Sequence, residues 1–157
     1  MANVKHSHHQ HHHDAQSFLN EVSATCELRG LRLTPLRSQV LELLANSKKP
    51  VKAYDLLDRI KKERSNAAPP TVYRALEFLL ENGFIHKLES INAYVGCHHP
   101  SVAHHVPFLI CDLCYDTVEI CDERVSRLLN EQARAVGFRP QAQTLEVHGV
   151  CERCSAH

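Results

Sequence analysis

No apolar run in this sequence approaches the roughly 20 residues that span a bilayer, which excludes a membrane-spanning helix. Residues 1–14 also lack the apolar core of a secretory leader. The expectation is therefore a soluble, cytoplasmic chain whose seven cysteines sit in a reducing compartment. In that setting Cys-x-x-Cys reads as metal or redox chemistry. Charge of one sign is missing too: 18 Lys and Arg face 18 Asp and Glu, which argues against an indiscriminate nucleic-acid coat. The balance hides a polarity, since residues 1–96 carry 13 basic against 10 acidic side chains and residues 97–157 carry 5 against 8. No base is paired with a nucleophile beside the candidate metal ligands, so an enzyme is not expected.

What is present is a sequence of patterned segments. The tract His6-Ser-His-His-Gln-His-His-His13 cannot pack a core and predicts a disordered, metal-buffering tail over residues 1–14. Phe18, Leu19, Val22 and Cys26 then recur at helical spacing up to Gly30, which makes Cys26 a core residue. Thr34 as N-cap and Pro35 in the first turn announce a second helix on Leu36, Val40, Leu43 and Leu44, and a third runs from Ala53 to Glu63. Pro69-Pro70-Thr71 closes the preceding loop, after which Val72, Ala75, Leu76, Leu79 and Leu80 define a fourth helix ended by Asn82-Gly83. Two β-like runs, Phe84 to Leu88 and Ala93 to Cys97, are separated by a hairpin-sized Glu89-Ser90-Ile91-Asn92. Three helices, a fourth with a polar N-terminal face, and a hairpin predict a winged helix-turn-helix over residues 15–96.

That fourth helix points to DNA. In a helix-turn-helix the second helix presents its N-terminal residues to base edges, while the wing and nearby cations touch phosphates. Packing leaves Thr71, Tyr73, Arg74 and Glu77 off the buried stripe near that helix's N-terminus. Arg74 offers a bidentate fork for guanine, and Tyr73 an aromatic face and a hydroxyl. Tyr54, Lys52, Lys61, Lys62 and Lys87 are candidates for flanking phosphate contacts.

Residues 97–105 form a polar, His-rich connector, expected to be a hinge bearing metal ligands. Residues 106–157 follow with short strands near Phe108–Ile110, Thr117–Ile120 and Gln143–His148 and an amphipathic helix from Glu123 to Val136. So small an α+β piece needs a metal or a partner subunit, and both are expected. Cys111/Cys114 and Cys151/Cys154, separated by 36 residues, offer four thiolates for tetrahedral zinc. A thioredoxin-like pair would need a βαβ setting that is missing. Structural zinc contributes roughly 10–16 kcal/mol in small peptides, so its occupancy would not track cellular zinc. Sensing requires a second site, and the candidates cluster at the junction: His86, Cys97, His98, His99, His104, His105 and Glu119. Ligands drawn from both pieces, such as His86 and Cys97 with His104 and Glu119, would turn binding into a change of angle.

Several stretches together resemble the ferric uptake regulator family of bacterial metal-dependent repressors. They are Arg32-Leu-Thr-Pro-Leu-Arg37, Ala53-Tyr-Asp-Leu-Leu57, Pro70-Thr-Val-Tyr-Arg-Ala-Leu76, Gly83-Phe-Ile-His-Lys87, Ile110-Cys-Asp-Leu-Cys114 and His148-Gly-Val-Cys-Glu-Arg-Cys154. The pattern is most similar to the zinc uptake regulator branch. The resemblance implies a homodimer that binds an A·T-rich palindromic operator when metal-loaded and represses zinc-import genes. It implies about two zinc ions per protomer: one structural, on Cys111, Cys114, Cys151 and Cys154, and one regulatory, on His86, Cys97, His104 and Glu119. His105 remains open as the alternative to His104.

An iron- or peroxide-sensing regulator of the same family is the competing reading. Iron-sensing relatives carry a His-His-Asp-His cluster before the first knuckle, whereas here Val106-Pro107-Phe108 follows His105. A thiolate with imidazole and carboxylate in four-coordination also suits zinc. Tyr115 stands where the resemblance leads one to expect glycine.

Overall fold

The computed structural model describes residues 14–101 and 106–156; the His-rich tail and the connector residues His104 and His105 lie outside that range. Helices α1 (Ala15–Arg29) and α2 (Pro35–Ala45) are followed by strand β1 (Val51–Lys52), α3 (Ala53–Glu63) and α4 (Pro69–Glu81). Strands β2 (Ile85–Leu88) and β3 (Ala93–Gly96) flank a 3-10 turn at Glu89–Ile91. After the connector come β4 (Phe108–Cys111), β5 (Thr117–Glu119), α5 (Glu123–Ala135), β6 (Glu146–Gly149) and α6 (Glu152–Ser155). The architecture is a winged helix-turn-helix followed by a small α+β unit. Among the described residues no helix is long and apolar enough to cross a membrane.

Local chemistry explains the helix ends. Gly30 stops α1 by adopting φ 65°, a left-handed conformation that glycine enters without a Cβ clash. Thr34 caps α2 by accepting the Arg37 N–H at 3.4 Å, with Pro35 in the first turn. Pro69 and Pro70 belong to the first turn of α4 itself, where a missing N–H removes no helical hydrogen bond. Phe18, Val22, Val40, Leu41, Leu44, Leu56, Ile60, Val72, Leu76, Leu79 and Phe84 close one core beneath the four helices.

The wing is a three-stranded sheet in the order β1-β3-β2, all antiparallel. Its hairpin is two-faced because strand side chains alternate. Ile85 and Tyr94 join the helical core, and Gly96 is pressed so near Phe18 that an added Cβ would lie 3.3 Å from the ring. On the opposite face Leu88 is buried in a second cluster with Phe108 and Ile110, against which Val95 and Ile91 also pack. The C-terminal sheet, in the order β5-β4-β6, thus shares its small core with the wing. Its other face turns Leu109, Val118 and Val147 outward, paired across the three strands as one exposed apolar row.

The strand expected at Gln143–His148 begins later, at Glu146, because β6 pairs with β4 only from Phe108↔Glu146 onward. Strand β1 and helix α6 carry too few residues to show a period in sequence.

Candidate metal centres and nucleic-acid interface

The first Cys-x-x-Cys begins on the last residue of the central strand β4, and the second leads into α6 just after β6, which runs parallel beside β4. Asp112 donates its N–H to Gly149 O at 2.8 Å, and Cys151 donates its own to Cys111 Sγ at 3.4 Å. These bonds bring the four sulfurs of Cys111, Cys114, Cys151 and Cys154 within 4.8 Å of one another. Cys114 Sγ and Cys151 Sγ stand 3.7 Å apart. Tetrahedral zinc with bonds of about 2.3 Å separates its sulfurs by roughly 3.8 Å, so the set fits that ion.

The polypeptide also tunes the thiols. N–H groups of Cys151, Cys114 and Leu113 directed at Cys111 lower its pKa to about 6, whereas Cys154, hydrogen-bonded to Cys151 and Cys114, is pushed up to about 12. Tyr115 closes the first knuckle in the left-handed region, with φ 59°.

A second cluster joins His86 from β2, Cys97 from the end of β3 and Glu119 from β5, with ligand atoms within 4.8 Å of one another. His86 and Cys97 lie on the hairpin face that also buries Leu88, so the alternation that builds the shared core delivers both ligands to it. His86 Nε2 lies 3.9 Å from Glu119 Oε1, the Glu119 side chain is 1% exposed, and the His86 ring meets Phe108 edge-on at 5.2 Å. Burial, then the Glu119 carboxylate, pushes the Cys97 thiol up to about 12. One sulfur, one imidazole and one carboxylate suit zinc in four-coordination; His104, expected as the fourth ligand, lies outside the described residues.

Arg29 anchors the start of the connector and was not singled out from sequence. Its guanidinium donates to Asn82 O at 3.1 Å and to Ser101 O at 3.3 Å, and sits 5.9 Å from the Phe84 ring centroid. The only signal was a cation in the last turn of α1, a common surface feature.

On α4, Thr71, Tyr73 and Arg74 are exposed at the N-terminal end while Val72, Ala75, Leu76 and Leu79 are buried. Tyr54 is 59% exposed near the start of α3. Lys52 is exposed beside it, while Lys87 Nζ pairs with Glu89 at 2.9 Å.

The model for the ferric uptake regulator family matches residues 28–148 of the chain. The chain belongs to the ferric uptake regulator family. Within it, the similarity runs to zinc regulators. The chain is 42% identical over 140 residues to the zinc uptake regulation protein of Escherichia coli K12, covering 88% of this chain and 82% of that one. A zinc uptake regulator solved in complex with zinc and DNA superposes with a TM-score of 0.86 at 41% identity, covering 90% of this chain and 95% of that one. Holo XcZur, 59% identical over 90% of this chain and 99% of its own, superposes at 0.84; its apo form superposes at 0.55 with 58% identity, covering 90% and 98%. At near-equal identity, the chain superposes better on the holo form than on the apo form.

Proposed function

We propose that the chain is a zinc-responsive transcriptional repressor that binds operator DNA as a metal-loaded homodimer in the cytoplasm and controls zinc-uptake genes. The observation that carries this reading is the His86–Cys97–Glu119 cluster, which draws two ligands from the wing and one from the C-terminal sheet. A ligand set split between two units converts occupancy into their relative orientation.

In this reading Cys111, Cys114, Cys151 and Cys154 hold one structural zinc, and His86, Cys97, His104 and Glu119 hold one regulatory zinc, giving two per protomer. Zinc supplies a cross-link there and no redox chemistry. Arg29 fixes the connector at Ser101, Phe108 backs the His86 ring, and the Glu119 carboxylate spans the gap between β5 and the wing. The exposed row Leu109–Val118–Val147, with Leu128 and Leu129 of α5 exposed as well, fits the same surface of a second copy. Two such units present two α4 N-termini, on which Thr71, Tyr73 and Arg74 read base edges while Tyr54 contacts the backbone. The chain acts by binding, not by catalysis.

The test is to select duplexes from a random-sequence library with the zinc-loaded protein and then titrate them at buffered metal. Binding at sub-nanomolar free zinc is the expected result. Activation by ferrous iron and not by buffered zinc would establish the iron-sensing alternative instead.

A further inference from the structure

The wing is tied to the C-terminal sheet a second time, at the opposite end of the hairpin from His86 and Cys97. Glu89 and Ser90, in the 3-10 turn, donate their backbone N–H groups to Glu146 Oε1 at 2.6 Å and Oε2 at 3.1 Å. His148, two residues further and so on the same face of β6, places Nε2 2.8 Å from Ser90 Oγ and Nδ1 2.8 Å from Asp112 Oδ1. A carboxylate only accepts, so Nδ1 carries a proton and, in the neutral ring, Nε2 accepts from the Ser90 hydroxyl. Asp112 lies inside the first cysteine knuckle. Hydrogen bonds thus run from the Asp112 side chain, on the backbone of the first knuckle, through His148 to the wing turn. The Glu146 side chain is only 8% exposed. Burial raises its pKa, but the N–H groups of Ser90 and Glu89 outweigh that and hold the carboxyl below its ordinary range.

We infer that Glu146 and His148 are positioning residues for DNA binding: they clasp the wing turn to β6, so that the hairpin is held at both ends. The inference rests on the repressor reading above. A single tie at His86, Cys97 and Glu119 would leave the winged helix able to swing about that point. A second tie, removed by four residues of strand and therefore on the order of 10 Å away, converts the pivot into a fixed orientation. The regulatory zinc is then one of two fasteners, and the other is made of hydrogen bonds between the protein's own groups. Neither Glu146 nor His148 is among the candidate ligands, and β6 reads in sequence as an ordinary alternating strand, which hides them.

The experiment compares full-length Glu146→Ala, Glu146→Gln and Ser90→Ala with the parent at saturating buffered zinc. Zinc stoichiometry and dimerisation are expected to stay parental in all three. Hydrogen exchange of the Glu89 and Ser90 amides should accelerate in Glu146→Ala, and affinity for the library-selected operator should fall roughly 5- to 150-fold, the usual span of coupling between sites. Glu146→Gln, which keeps one acceptor oxygen, should recover part of both losses. Ser90→Ala, at an exposed residue, removes only the hydroxyl that His148 Nε2 faces and should show a smaller loss of affinity. Parental operator affinity in both Glu146→Ala and Ser90→Ala would overturn the positioning role. Exchange at Glu89 and Ser90 no faster in Glu146→Ala than in the parent would overturn the clasp itself, whether or not any DNA is bound. Failure of the parent to select an operator would instead remove the repressor reading and leave the exchange result standing.

Discussion

Tyr115 and Cys97 are two residues whose environments conflict with their chemistry. The turn that aims Cys114 back at Cys111 requires a left-handed residue at position 115, and a bulky side chain there costs about 1–2 kcal/mol. Replacing Tyr115 with glycine relieves that strain while giving the unfolded chain more freedom, a partial offset. Tyr115→Gly is therefore expected to raise the stability of the C-terminal unit by up to about 1 kcal/mol, read as a higher thermal midpoint of the zinc-loaded protein. An unchanged or lower midpoint would mean that the exposed ring contributes a contact worth keeping. Cys97 is the converse case, a buried thiol beside a carboxylate, held protonated to about 12. Cys97→Ser removes the soft ligand from the proposed regulatory set and leaves all four knuckle cysteines in place. The expected outcome is full retention of the four-thiolate zinc with loss of zinc-stimulated operator binding. Parental binding at the same free zinc would dissociate Cys97 from sensing.

Among the elements, α4 gives the sharpest expectation for DNA. Arg74 projects from its N-terminal end with its guanidinium exposed. Arg74→Ala should weaken operator binding by about 1–3 kcal/mol and relax base preference at one position of each half-site. A uniform loss across sequences with a shallower salt slope would mark a phosphate contact instead. The helices were legible in the sequence because each carries its own period and its own stop signals: Gly30, Thr34-Pro35 and Asn82-Gly83 all sit at or next to helix ends. The cysteine knuckles were legible because spacing alone implies their geometry. Other features were not. Strand β1 is two residues long and exists only through its pairing with β3. Arg29, Glu146 and His148 act through backbone groups distant in sequence, and a carbonyl or N–H carries no mark in the residue code. His86, Cys97 and Glu119 could be proposed as a group, but their convergence depends on a strand face and a contact between units that no local pattern encodes.

For the whole molecule, the decisive property is that the C-terminal unit has little core of its own. Leu88, Phe108 and Ile110 are its shared centre with the wing, and α5 buries no residue at all in the single chain. Under the proposed function, such a unit draws the rest of its stability from the four-thiol staple and from a second copy. Cys151→Ser, or removal of metal by a strong chelator, should therefore convert dimer to monomer in sedimentation and lower the unfolding midpoint of the C-terminal half. A variant that stays fully dimeric in chelator would refute the staple. The alternation of the hairpin also bears on how such a protein can change over evolutionary time. Moving β2 by one residue would carry His86 into the helical core and Ile85 into the metal site, so insertion or deletion within the strand damages folding and sensing together. Metal preference can then drift only by exchanging side chains at fixed positions. The wing works as a ruler whose marks cannot be shifted, only rewritten.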